Sequence, residues 1–384
     1  MRRFSLHQIF CGACLCLSVV SNSAFGIETS ANVVVDTETQ SPVSRARPNI
    51  VFILADDLGY TDIASYGSEV NTPTLTALAE QGVSFTNYHT AANCAPARAM
   101  LLTGVDSHLA GVPNIPEMLA PEQRKHANYQ GVLGDDVVTV ATLLEDAGYH
   151  TYMAGKWHLG MEPDKRPSRR GFQRTMAMMD SGADNWEQRP YLALYDQANW
   201  FADGERFTLP EDFYSSRFLV DKMIEFIDSN LQGQNFQNTS AKEGKPFFAY
   251  LPFMAVHSPV QAPKEFIDRY MGVYDSGWDA LRQQRKERAE ALGIVPKNMP
   301  MVRMKTTEDW DALSEDDRRY QAKRMAVYAG MIEAMDFHLG RLIEFLKERG
   351  QYDNTIFILG IRIIWLVCER ERWPTNSTHN GLAG

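Results

Sequence analysis

The segment Cys94-Ala95-Pro96-Ala97-Arg98 combines a thiol with a fixed positive charge at the start of a predicted helix. Proline suits the first turn of a helix, where its missing N–H needs no partner. The helix N-terminus brings partial positive charge to position 94, and Arg98 would add a full charge. Whatever group occupies position 94 would therefore lie in a positive field. The alternatives are that Cys94 is an inert buried side chain and Arg98 an ordinary surface residue.

Two adjacent carboxylates, Asp56 and Asp57, follow the apolar run of residues 49–55. Carboxylate oxygens are ligands of hard cations such as Ca²⁺ or Mg²⁺, which need several of them. Adjacent side chains of a strand point to opposite faces, so both can reach one ion only where the strand has ended. The position of the pair therefore indicates a metal site. The alternative is a helix N-cap or a solvated turn.

Three basic side chains follow two other apolar runs. Lys156 and His158 are two residues apart and would share one face of an extended chain. Such a pair at a strand end is a candidate for anion binding combined with proton transfer. His257 also follows a predicted strand, and it fits either a functional or a core histidine.

The elements that must position these residues alternate between short apolar runs and helical patterns. The predicted strands are residues 49–55, 83–88, 149–154, 246–253 and 354–359. The predicted helices are residues 72–82, the segment after Cys94, and residues 140–147, 213–230 and 315–348. Residues 270–314 are charged and irregular, which predicts a surface insertion or lid. The alternation predicts an α/β fold with a parallel sheet between helices, whose active residues lie at the carboxyl ends of the strands.

The N-terminal segment, residues 1–26, has the pattern of a secretory signal, with two arginines, an apolar run and small residues before Gly26. It predicts export, to the periplasm or out of the cell, and residues 27–46 form a polar leader. No later segment reaches the roughly 18 apolar residues of a membrane span. Only Cys94 and Cys368 follow the signal, which excludes a disulfide scaffold. The net charge of −10 argues against a nucleic-acid partner.

Five segments together resemble the type I sulfatases of the alkaline phosphatase superfamily, most of all the bacterial alkyl/arylsulfatases. They are PNIVFILADDLGY, NTPTLTALAEQGVSFTNYHT, CAPARAMLLTG, AGYHTYMAGKWHLG and LPFMAVHSP. The resemblance covers about residues 47–359 and implies one catalytic domain with an alkaline-phosphatase-like, mostly parallel sheet between helices. It implies a sulfuric ester hydrolase acting on a small-molecule or saccharide sulfate ester.

The resemblance also implies a modified residue and a metal. In that family a formylglycine-generating enzyme oxidises the cysteine that matches Cys94, and the hydrated aldehyde is the nucleophile. Asp56, Asp57 and the modified Cys94 would bind Ca²⁺, with Mg²⁺ as the less favoured ion.

The same resemblance implies a role for each of the basic residues. Arg98 and Lys156 would stabilise the hydrate and the sulfate. His158 would assist breakdown of the sulfated intermediate, and His257 would protonate the leaving alcohol.

The end of the chain departs from the family pattern. After residues 355–359 the family has an Asp-Asn-Gly that completes the metal site, whereas Gly360-Ile361-Arg362 stands here. We expect residues 360–384 to be an aberrant tail and the family's small C-terminal domain to be missing. Weak Ca²⁺ binding and poor turnover would follow. The alternatives are a phosphonate or phosphate ester hydrolase of the same superfamily, or an inactive fragment.

Overall fold

The computed structural model of the protein describes residues 47–231, 245–302 and 307–361. The predicted signal, the polar leader and the tail from Arg362, including Cys368, lie outside the described residues. Within the described ranges no helix is long and apolar enough to cross a membrane.

Seven strands form one sheet in the order β5-β4-β3-β2-β6-β1-β7. They are β1 Asn49–Ala55, β2 His150–Lys156, β3 Arg174–Met178, β4 Trp200–Ala202, β5 Glu205–Arg206, β6 Phe247–Pro252 and β7 Thr355–Ile361. Strands β1, β2, β3, β6 and β7 run parallel, and β4 and β5 add antiparallel pairs beyond β3. The mostly parallel sheet of the sequence-based prediction is therefore confirmed.

Helices cover both faces of this sheet. They are α1 Pro73–Glu80, α2 Cys94–Thr103, α3 Val140–Asp146, α4 Ser215–Leu231, α5 Lys264–Ile267, α6 Gly277–Ala291 and α7 Glu315–Glu348. Alternate residues of β1 divide between two hydrophobic clusters. Val51 and Ile53 pack in the cluster formed with α1, α4 and α7, and Leu54 packs in the cluster formed with α2 and α3. A strand buried on both faces explains why β1 reads as a continuous apolar run.

The longest helix, α7, has the bounds that the sequence predicts. Ser314 caps it by accepting a hydrogen bond from the N–H of Asp317, and acidic residues in the first turn favour the same start. Midway along α7, Asp336 accepts hydrogen bonds from the N–H groups of Thr74 (3.0 Å) and Leu75 (2.8 Å) at the start of α1. The carboxylate thereby holds the two helices together.

Two sequence-based predictions about elements are wrong. Residues 83–88 form no strand, and Val83 and Phe85 are 81% and 71% exposed. Both edges of β1 are already hydrogen-bonded, to β6 and β7. Residues 83–88 therefore cannot pair with β1 as an additional strand. Residues 270–314 are not irregular throughout, because α6 lies within them and buries Arg285 and Ala289.

Candidate active site

The loop after β1 begins with the two aspartates. Asp56 is fully buried, and its backbone exchanges hydrogen bonds with the segment after β6: its N–H donates to Ala255 O (2.9 Å), and its carbonyl accepts from Val256 N–H (2.7 Å). Asp57 adopts a positive φ of 64°, which turns the chain out of the strand direction. The aspartates and the His257 segment are thus fixed to one another by backbone hydrogen bonds.

A buried ion cluster surrounds the Asp56 carboxylate. Its Oδ1 lies 3.1 Å from Arg98 Nη2 and its Oδ2 lies 2.5 Å from Lys156 Nζ, with all three side chains 0–1% exposed. Arg98 also donates from Nη1 to the carbonyl of Lys156 (2.9 Å). Charges this deep are tolerated only when they are paired. Arg98 is therefore not an ordinary surface residue.

Cys94 is the first residue of α2 and is buried next to this cluster. Burial raises the pKa of its thiol, but the Lys156 ammonium, together with hydrogen bonding from His158 and His257, outweighs both burial and the opposing charge of Asp56. The pKa of Cys94 is held well below its ordinary value. The site therefore stabilises negative charge at position 94, chiefly through Lys156.

His257 lies between position 94 and the aspartates. Its Nε2 is 3.7 Å from Asp57 Oδ2, and its Nδ1 is 2.5 Å from the carbonyl of Ser258. Burial and Lys156 lower the pKa of His257, yet hydrogen bonding with Cys94 and the charges of Asp56 and Asp57 raise it above its ordinary value overall. The ring of Tyr191 meets the imidazole edge to face, at 5.2 Å between centroids.

His158 is buried two residues beyond the end of β2, where its positive φ of 59° turns the chain out of the strand direction. Its Nε2 lies 3.1 Å from Oε2 of Glu117, which itself sits in the short 3₁₀ turn Pro116–Met118. Sequence reasoning missed Glu117, because a single acidic residue 41 positions away from its partner and outside any strand end carries no pattern. The only local signal is an acid inside the apolar stretch of residues 115–119.

Residues 48–359 match the family model described as Sulfatase. The chain belongs to the sulfatase family. It is 38% identical to an uncharacterised sulfatase of Schizosaccharomyces pombe, over 81% of the chain and 56% of that protein. It is 39% identical to an arylsulfatase of Klebsiella aerogenes, over 81% of the chain and 65% of that protein.

Solved structures give the same fold assignment. The structure of Ps i-CgsB in complex with k-i-k-neocarrahexaose is 26% identical, with a TM-score of 0.57, over 82% of this chain and 58% of that one. The chain thus spans between 56% and 65% of the lengths of these three proteins.

The structure brings together the residues that the sulfatase resemblance selects. Asp56, Cys94 and His257 each offer one potential ligand atom, and these atoms lie within 4.8 Å of one another. Arg98 and Lys156 both contact Asp56. Asp57 lies next to His257, and His158 lies next to Cys94. Two carboxylates suit a hard cation, while an unmodified thiol suits it poorly. An oxygen-bearing residue 94 would complete a more consistent set of ligands.

Proposed function

We propose that the chain carries the catalytic centre of a sulfuric ester hydrolase that removes sulfate from an aryl or alkyl sulfate ester, sulfated saccharides included. The observation that carries this proposal is the buried pair of cations, Arg98 and Lys156, beside position 94, within the region matched by the Sulfatase model. Fixed positive groups in a water-excluded site stabilise the charge that develops on sulfuryl oxygens.

The proposed nucleophile is residue 94 after oxidation of Cys94 to formylglycine by a formylglycine-generating enzyme. A hydrated aldehyde keeps a second hydroxyl, whose deprotonation expels sulfate without attack of water on sulfur. His158 is proposed to take that proton, and His257 to protonate the leaving alcohol. The position of His257 beside residue 94 supports its role as the acid.

Asp56, Asp57 and residue 94 are the proposed ligands of a Ca²⁺ ion, with Mg²⁺ less favoured. When bound, the cation would neutralise charge at the sulfuryl oxygens. Ca²⁺ takes about six to eight oxygen ligands, and the proposed set supplies three side chains. We therefore expect weak Ca²⁺ binding and poor turnover by this chain. The pattern of residues 1–26 supports export, to the periplasm or out of the cell.

Peptide mass spectrometry tests the modification. In a host that modifies other sulfatases, the peptide containing residue 94 should lose about 18 Da relative to cysteine, the difference between CH₂SH and CHO. Unmodified thiol in every molecule would refute the proposed nucleophile.

Turnover of nitrophenyl sulfate tests the reaction, with nitrophenyl phosphate measured in parallel. Cys94→Ala should abolish any sulfate ester hydrolysis and serves as the control for contaminating activity. Faster turnover of the phosphate ester would favour a phosphate or phosphonate ester hydrolase instead. Calorimetric titration with Ca²⁺ tests the metal, and micromolar affinity would contradict the weak binding expected here.

A further inference from the structure

The imidazole of His158 is held from one side only. The ring is 1% exposed, and its Nε2 lies 3.1 Å from Glu117 Oε2. The other nitrogen, Nδ1, is buried and has no hydrogen-bond partner of normal geometry among the described residues. The ring is nevertheless close enough to Cys94 to lower the pKa of its thiol. Nδ1 is therefore the nitrogen available to residue 94.

Glu117 is itself fixed as an ionised acceptor. Its side chain is 5% exposed, and its Oε1 accepts a hydrogen bond from the hydroxyl of Tyr195 (3.2 Å). Burial raises the pKa of Glu117. The hydrogen bond and the charge of His158 oppose this effect, together with a backbone hydrogen bond at Glu117 and the hydrogen bond from Tyr195, and the pKa falls to about 2. Each carboxylate oxygen thus faces one donor.

A carboxylate can only accept hydrogen bonds, so it dictates which nitrogen of a neutral imidazole carries the proton. We propose that Glu117 is a positioning residue that fixes His158 as the Nε2–H tautomer and directs the lone pair of Nδ1 to residue 94. The consequence for catalysis rests on the proposed function. Nδ1 accepts a proton from a hydroxyl at position 94, the O–H electron pair stays on oxygen, and Glu117 stabilises the imidazolium that forms.

The tautomer can be measured without turnover. In Cys94→Ser protein labelled with ¹⁵N-histidine, which has a hydroxyl and no thiolate at position 94, the two ring nitrogens of His158 give different shifts according to which one is protonated, and His158→Gln identifies its signals. At mildly alkaline pH we expect a protonated Nε2 and an unprotonated Nδ1. A proton on Nδ1, alone or together with Nε2, would overturn the proposal.

Two variants, each made in the Cys94→Ser protein, separate positioning from general stability. Glu117→Gln can donate as well as accept, so we expect a mixture of the two tautomers. Tyr195→Phe leaves the carboxylate in place and should keep the single Nε2–H form. If Glu117→Gln folds with the native far-ultraviolet circular dichroism and still shows only the Nε2–H tautomer, Glu117 does not set the tautomer and the proposal fails.

Kinetics with nitrophenyl sulfate add a second readout. Because Glu117 is proposed to act through His158, Glu117→Gln should lower kcat by about 10- to 100-fold and leave KM within about twofold. A change confined to KM would contradict a positioning role. If the expected tautomer is found but the native protein hydrolyses no sulfate ester at all, the proposed function fails while the assignment of Glu117 stands.

Discussion

Arg285 of α6 joins this helix to the loop that follows the two aspartates of the site. Its Nε and Nη2 lie 2.7 Å from the two carboxylate oxygens of Glu69, and its Nη1 contacts Asp62. Asp62 in turn accepts hydrogen bonds from Gly59 N–H (2.8 Å) and from the hydroxyl of Tyr328 (2.6 Å). The loop thus depends on a cation supplied from more than 200 residues away along the chain.

Replacing Arg285 by methionine keeps the bulk of the side chain and removes its charge. The carboxylates of Glu69 and Asp62 are only 11% and 12% exposed, so the variant leaves two buried charges without their cation. Removing one partner of a buried pair costs about 3–5 kcal/mol. Tyr274 and Tyr328 still donate to these carboxylates, and we therefore expect a loss of about 3–4 kcal/mol rather than the sum for two pairs.

Urea unfolding followed by tryptophan fluorescence measures this loss. Arg288→Met is the matched control, because Arg288 lies on the same helix with an exposed side chain, and changes at such positions stay within about 0.5 kcal/mol. Equal midpoints for the two variants would refute the anchoring role of Arg285.

The pH dependence gives an independent check on the same residue. Burial raises the pKa of Glu69, yet Arg285 and Tyr274 hold it below its ordinary value. The Glu69 carboxyl therefore binds its proton more tightly in the unfolded chain than in the folded one. The ionised Glu69 contributes to folding stability above its unfolded pKa, and this contribution is lost as the pH falls through its folded pKa. Without Arg285 burial prevails, the pKa of Glu69 rises, and its contribution should fall as the pH rises. An unchanged slope in Arg285→Met would contradict this account.

Three further predictions concern the strands and helices around the site. Gly155→Ala should cost at least about 3 kcal/mol in thermal unfolding, because the φ of +141° disfavours a side chain and a Cβ would lie 1.8 Å from Pro252 O; a native melting temperature would refute it. Burial raises the pKa of Asp336 to about 6, so the folded state holds the proton more tightly and stability should fall from about pH 4 to pH 6; Asp336→Asn should remove this slope in urea titrations. Lys156→Met should raise the pKa of unmodified Cys94, because its cation is lost; an unchanged thiolate absorbance titration would count against it.

The arrangement of strands follows from the sequence because each central strand is buried on both faces. An apolar run of strand length then has one stable environment, the interior of a parallel sheet. Since β2, β6 and β1 are neighbours, the polar residues after them meet at one edge. Asp56, Lys156 and His257 are brought together for this reason, while their catalytic roles stay predictions.

The failed or missing predictions involve contacts that leave no local pattern. Residues 83–88 alternate between apolar and polar side chains as a strand would. Strand propensity alone does not make them a strand, because both edges of β1 are already paired. Glu117 lies on a 3₁₀ turn and contacts His158, 41 positions away. Arg285 lies on the charge-rich helix α6 and contacts Asp62, more than 200 positions away. In a sequence, a charged residue that is exposed to solvent cannot be distinguished from one that is buried in an ion pair. Only the tertiary structure shows which of the two it is.

The charges of the site constrain how it would bind the proposed anionic substrate. Arg98 and Lys156 both contact the carboxylate of Asp56, so the proposed sulfate ester would have to share their positive charge with Asp56. A cation bound to the same carboxylate would weaken that competition and favour the anion. Linkage requires the reverse as well: a bound sulfate group must raise the affinity for the cation by the same factor. With a net charge of −10 on the whole chain, attraction of the proposed anionic substrate would depend on this local balance and not on the long-range field of the protein.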